Sequence, residues 1–241
     1  MFPIRDTIPS RYTPFATVGL ISINGAVFLY ELSLSPAELM AFFQRYGVVP
    51  AALRSGAPWG EWLSLLTSMF LHGGWFHIIA NMWALWLFGD NVEDRMGIGR
   101  FLAFYLLTGL AAGATHAVLN PNSTVPTVGA SGAVAGVMGA YFVLFPRSTL
   151  IVVVPFFFWP VLFEVPAVIY LLLWFLGELF SGTLSLAVPG DVGGIAFWAH
   201  VGGFVAGVVL HPIFLRPRQV YRRWFADETH YHPERWYWRE R

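Results

Sequence analysis

Apolar residues along this chain come in long blocks rather than in alternating or one-sided rows, and polar residues collect between the blocks. A helix needs about 20 apolar residues to cross a hydrocarbon layer of roughly 30 Å, so blocks of that length read as membrane helices. Six are present, at about 15–32, 69–89, 100–119, 129–146, 162–181 and 196–215. A further apolar run, Thr149 to Val161, is short and broken by Pro155 and Pro160. It reads as a loop or interfacial segment rather than a span. The pattern predicts an all-α, polytopic fold: a six-helix membrane domain over 15–215, a short cytoplasmic N-terminus over 1–14, and an arginine- and aromatic-rich cytoplasmic tail over 216–241.

Arginine placement gives the bundle a direction. With the N-terminus inside, the inner segments carry Arg5, Arg11, Arg95, Arg100, Arg147 and the seven arginines from Arg216 onward, while the outer loops carry Arg45 and Arg54. Twelve against two satisfies the positive-inside rule, and a seventh span at 149–161 would spoil it. Both termini are therefore expected in the cytoplasm. The segment before Phe15 is polar and contains proline, so no cleavable signal peptide is expected and the first block stays as a span. The tail mixes Arg with Trp and Tyr, as in Arg222-Arg223-Trp224-Phe225, which suits an anchor on anionic lipid.

Composition narrows the classes further. The chain is 56% hydrophobic and 12% charged, against roughly 25% charged for soluble domains. A zero formal net charge argues against a nucleic-acid partner. The absence of cysteine excludes disulfides and thiolate metal sites.

Candidate chemistry begins with polar residues inside the apolar blocks, because a polar group in hydrocarbon is costly unless it is paired or reaches water. Ser131 lies in Gly129-Ala130-Ser131-Gly132 at the start of the fourth block, and His200 in Ala199-His200-Val201-Gly202-Gly203 at the start of the sixth. If Pro146-Arg147 marks the inner interface, Ser131 stands about 24 Å above it at 1.5 Å per residue, just below the outer surface. A helix starting there offers free N–H groups and the positive end of its dipole beside a cavity, a setting that stabilises an oxyanion. Gly129 and Gly132 allow a tight turn and close approach. The plain alternative is a small-residue packing face. The Gly203-x-x-x-Gly207 spacing lets the sixth helix approach the fourth closely, which would bring His200 to Ser131 as a base to a nucleophile.

The second block adds His72, His77 and Asn81. His77 and Asn81 share a helix face. The His72/His77 spacing does not suit a helical zinc pair, and no Cys or carboxylate nearby completes one, so no metal is expected. The functional reading is an oxyanion hole, and the bland one is interhelical hydrogen bonding. Glu178, near the outer end of the fifth block, reads as a snorkelling or loop-contact residue, and His116 as structural.

These pieces resemble the rhomboid intramembrane serine proteases. The resemblance rests on His72-x4-His77-x3-Asn81, Gly129-x-Ser131-Gly132 and Ala199-His200-x-Gly202-Gly203, in family order, and covers roughly 60–215. It implies a six-helix bundle with Ser131 as nucleophile and His200 as general base, and no third acidic member. It implies Asn81, His77 and the Ser131 N–H as the oxyanion hole, with His72, Gly129 and Gly132 supporting it. No cofactor is implied, and the partners would be transmembrane protein substrates and the lipid bilayer, in the plasma membrane of a prokaryote. The fifth span would act as a lateral gate and Gly190-Asp191-Val192-Gly193-Gly194 as a lid. Ala135 departs from some bacterial members, which place an aromatic ring there against the histidine, so His200 must be held some other way. Glu61-Trp62-Leu63 departs where many carry a Trp-Arg pair. A catalytically silent relative that binds membrane proteins is the alternative. A transporter fits less well, since the polar residues cluster at one depth rather than along a pathway.

Overall fold

The computed structural model describes residues 2–55, 59–156, 159–187 and 196–217. Strand β1 (Phe2–Asp6) precedes helix α1 (Phe15–Glu31). The first loop folds into α2 (Pro36–Tyr46), α3 (Pro50–Arg54), α4 (Trp59–Trp62) and α5 (Ser64–Thr67), followed by a 3₁₀ turn at Ser68–Phe70. Helices α6 (Trp75–Met96), α7 (Ile98–Leu119) and α8 (Ser131–Leu144) come next, then strands β2 (Thr149–Phe156) and β3 (Trp159–Pro166), and finally α9 (Ala167–Ala187) and α10 (Phe197–Phe214). The expected lid at 190–194 and the tail from 218 onward lie outside the described residues.

Helix α8 is apolar all round, the pattern of a helix enclosed by others, and its residues from Gly132 to Tyr141 are buried without a break. It packs against α6, α7 and α10. Small residues permit this. A Cβ at Gly203 would run into the Gly132 carbonyl oxygen, and one at Gly207 into the Gly136 carbonyl oxygen, so α8 and α10 touch backbone to backbone.

Each of the six expected blocks overlaps a helix, but among the described residues only α7, α9 and α10 are both long and apolar enough to cross a membrane. Helices α1 and α8 are apolar but have 17 and 14 residues. Helix α6 ends in Asp90, Glu93, Asp94 and Arg95.

Those acidic residues have local work. Helix α1 starts after Pro14 with no side-chain cap of its own. Glu93 supplies one from α6: its carboxylate accepts from the N–H groups of Ala16 (2.9 Å) and Thr17 (2.8 Å) and from the Thr17 hydroxyl (2.8 Å). Asp94 accepts from the N–H groups of Arg11 and Tyr12. Glu93→Ala would strand these buried donors and is expected to destabilise the protein by roughly 1–3 kcal/mol. The measurement is the melting temperature in detergent, and an unchanged value would contradict this capping role.

The all-α expectation needs correction at 149–166. Instead of a loop and the start of a fifth helix, the chain forms a three-stranded antiparallel sheet in the order β1-β2-β3. Strand β2 pairs with β3 from Thr149↔Pro166 to Phe156↔Trp159, and with β1 from Phe2↔Val153 to Asp6↔Leu150. The run Thr149-Leu-Ile-Val-Val-Val is rich in β-branched residues, which favour strands, and its Leu150 and Val152 point alternately into the core. Pro155 and Pro160 face each other near the end of the ladder, where a missing donor disrupts least. Because β3 takes residues through Pro166, α9 begins at Ala167 rather than 162. The second block also shifts, with α6 starting at Trp75, after the break at Gly73-Gly74, rather than at 69.

Candidate active site

Ser131 is the first residue of α8. The first helical hydrogen bond there runs from Val134 N–H to the Ala130 carbonyl, so the N–H groups of Ser131, Gly132 and Ala133 precede the ladder. The turn that places Ser131 depends on Gly129, whose φ of 133° strains any L side chain. Its N–H donates to the Ser68 carbonyl at 2.9 Å, which ties the turn to the 3₁₀ segment.

His200 sits in the first turn of α10. The close α8–α10 packing delivers it to Ser131, with 2.8 Å between His200 Nε2 and Ser131 Oγ. The sequence-based expectation that the two meet agrees with this geometry. A crevice of about 30 Å³ lies beside them, lined in part by Ser68, Gly129, Ser131 and Ala199, with room for a water molecule or two. A larger open cleft of about 320 Å³ lies elsewhere, between β1 and α6.

Glu178 of α9 occupies the other side of His200, with Oε2 2.7 Å from Nδ1. The two side chains are 13% and 16% exposed. Glu178 thus faces His200 rather than snorkelling or contacting a loop, the readings its place near a helix end suggests. The sequence did hold a signal: an ionisable side chain within a long apolar block is a functional candidate by default. Trp174, one turn earlier on α9, sets its ring against the imidazole with centroids 6.0 Å apart. These two contacts from α9 hold His200 where Ala135 leaves no ring on α8.

His77 lies in the first turn of α6, and its ring edge is where a Cβ on Gly129 would stand, 2.6 Å from Nε2. The Gly73 N–H lies 3.4 Å from His77 Nδ1; a neutral ring accepting there would carry its proton on Nε2, on the side of Gly129. Asn81, one turn further along α6, is buried, and its amide Nδ2 has no hydrogen-bond partner among the described residues. His72 is not on the helix with them, because the chain breaks at Gly73-Gly74. Its N–H donates to the buried Glu31 carboxylate at 3.2 Å, and its ring stacks edge-on against His77 with centroids 5.1 Å apart. His116 bonds Thr127 (2.9 Å) and steadies the loop ahead of Ser131, as the structural reading anticipates. Among the described residues no group of three or more His, Cys, Asp or Glu side chains could hold a metal ion.

Fold and site together define a helical membrane protein in which a serine at the start of the central helix is hydrogen-bonded to a histidine in the first turn of α10. The family model for the Rhomboid domain matches residues 59–217, and the chain belongs to the rhomboid family. It is 44% identical over 81 residues to the rhomboid protease GluP of Bacillus subtilis, covering 34% of this chain and 15% of that one. It is 28% identical over 196 residues to the mitochondrial rhomboid protein 1 of Saccharomyces cerevisiae, covering 79% and 50%. A third relative is the chloroplastic rhomboid-like protein 11 of Arabidopsis thaliana, 33% identical over 113 residues, covering 47% and 39%. The chain thus spans at most half the length of these relatives. Because they include mitochondrial and chloroplastic proteins, the comparisons support a membrane protein but not the expected prokaryotic plasma membrane.

Proposed function

We propose that this protein is an intramembrane serine endopeptidase that cuts other membrane proteins in or beside a transmembrane segment. The observation that carries the reading is the 2.8 Å contact between Ser131 Oγ and His200 Nε2 at the N-terminus of the buried helix α8. His200 takes the serine proton as Oγ attacks the peptide carbonyl, then hands it to the departing amine. Water entering from the outer side hydrolyses the resulting acyl-enzyme. The negative oxygen formed in each half-reaction is stabilised by the Ser131 N–H, by His77 Nε2–H and by the Asn81 amide. The Asn81 donor, without a partner among the described residues, supports that role, since a buried donor kept free costs stability unless a ligand uses it. A substrate helix must unwind to expose its carbonyl, so residues that weaken helices near the cut are favoured.

Six crossings with both termini in the cytoplasm remain part of this proposal, on the arginine asymmetry of the sequence. Helices α1, α6 and α8 then cross as part of the bundle rather than as free-standing spans.

A serine-directed phosphonate probe tests the nucleophile. Peptide mass mapping of the treated protein is expected to place one adduct on Ser131, and none in folded His200→Ala protein. Adducts on other serines in place of Ser131 would overturn the assignment.

A further inference from the structure

Beyond the Ser131–His200 pair, a part-buried carboxylate, Glu178, also reaches the reacting histidine. Its 2.7 Å distance to His200 Nδ1 is in the range of charge-assisted hydrogen bonds. An imidazole whose Nδ1–H donates to a carboxylate presents Nε2 as an acceptor, and Nε2 is the atom facing Ser131 Oγ. Glu178 therefore selects the tautomer that a base needs. It also offsets the positive charge that forms on the ring when the serine proton arrives. The proton stays on His200 rather than passing to Glu178.

Glu178 rides on α9, which has an outward apolar face including Leu172, Leu173, Leu176 and Phe180. On its inner side α9 meets α10 through the stacked rings of Phe175 and Phe204 (4.8 Å), a bond from Trp198 Nε1–H to the Gly182 carbonyl (3.0 Å), and the Glu178–His200 pair. Any displacement of α9 from α10 removes the carboxylate and the Trp174 ring from His200 together.

We propose that Glu178 is a positioning residue that completes a Ser131–His200–Glu178 triad, so that the base is correctly set only while α9 is docked on α10. This rests on the reading of Ser131 as nucleophile and His200 as base. The test uses the full chain in liposomes with a tagged single-span substrate. Glu178→Gln keeps the shape but not the charge, and is expected to lower kcat about 10²-fold with KM within about twofold. Glu178→Asp is expected to recover about tenfold of that loss. A Glu178→Gln protein with wild-type kcat, or one altered in KM alone, overturns the proposal. A second measurement does not depend on any variant folding. ¹⁵N NMR of ring-labelled histidine, at a pH where the ring is neutral, is expected to report His200 in the wild type as the Nδ1–H tautomer. The Nε2–H tautomer overturns the proposal. Cleavage that persists in Ser131→Ala breaks the underlying protease reading instead, whereas a fully active Glu178→Gln beside an inactive Ser131→Ala breaks only this inference.

Discussion

His200→Ala is expected to lower cleavage by roughly 10⁴-fold or more while leaving a folded protein. The ring lies in a partly exposed position between Ser131 and Glu178, so its removal opens space near the outer surface rather than a cavity in the α8 core. In the proposed mechanism, loss of the imidazole deprives Ser131 of its proton acceptor and the leaving amine of its donor. Ser131→Ala is expected to match it. If the two act as one unit, as proposed, the double variant should be no worse than either single one. A rate comparison among the three variants checks this. Losses that multiply in the double variant would show that the residues contribute separately, against the account given.

Gly203→Val is expected to remove both activity and much of the stability. A Cβ at this position would collide with the Gly132 carbonyl of α8 and lie 3.4 Å from the Ala112 side chain. Neither helix backbone can yield locally, so α10 must move away from α8 and carry His200 from Ser131. Overpacking of this kind costs about 1–3 kcal/mol where side chains can adjust, and backbone contact leaves less room to adjust. Gly19→Ala is the control, because a Cβ there meets nothing within 4 Å and alanine suits a helix interior better than glycine. Melting curves in detergent should show a large fall for Gly203→Val and none for Gly19→Ala. Equal melting temperatures would contradict the close α8–α10 contact.

The helices and the Ser131–His200 pair were legible because each is written locally, as an apolar block or as a small-residue motif around one polar side chain. The sheet was not. It joins Phe2–Asp6 to Thr149–Phe156 across most of the chain, and no short window carries that pairing. An apolar run of 8–13 residues also fits several structures until its partner strand is known. The apolar block runs through His72 and so predicts it on a helix, although Gly73-Gly74 ends the turn before α6 begins. Glu178 was visible as a carboxylate in an apolar block, but its partner lies 22 residues away on the next helix. The rotation of α9 about its axis decides whether it faces lipid or His200, and α9 is apolar on nearly every side, so its sequence does not show that rotation.

Cleavage of a tagged single-span substrate by the purified chain in liposomes tests the central claim most directly, with wild type beside Ser131→Ala and His200→Ala. Fragments ending in or beside the span, made by the wild type and by neither variant, are the predicted result. Fragments from either variant at the wild-type rate, or an intact substrate with all three proteins folded across several substrates, would contradict it; the second result would instead favour a family member that binds membrane proteins without cutting them.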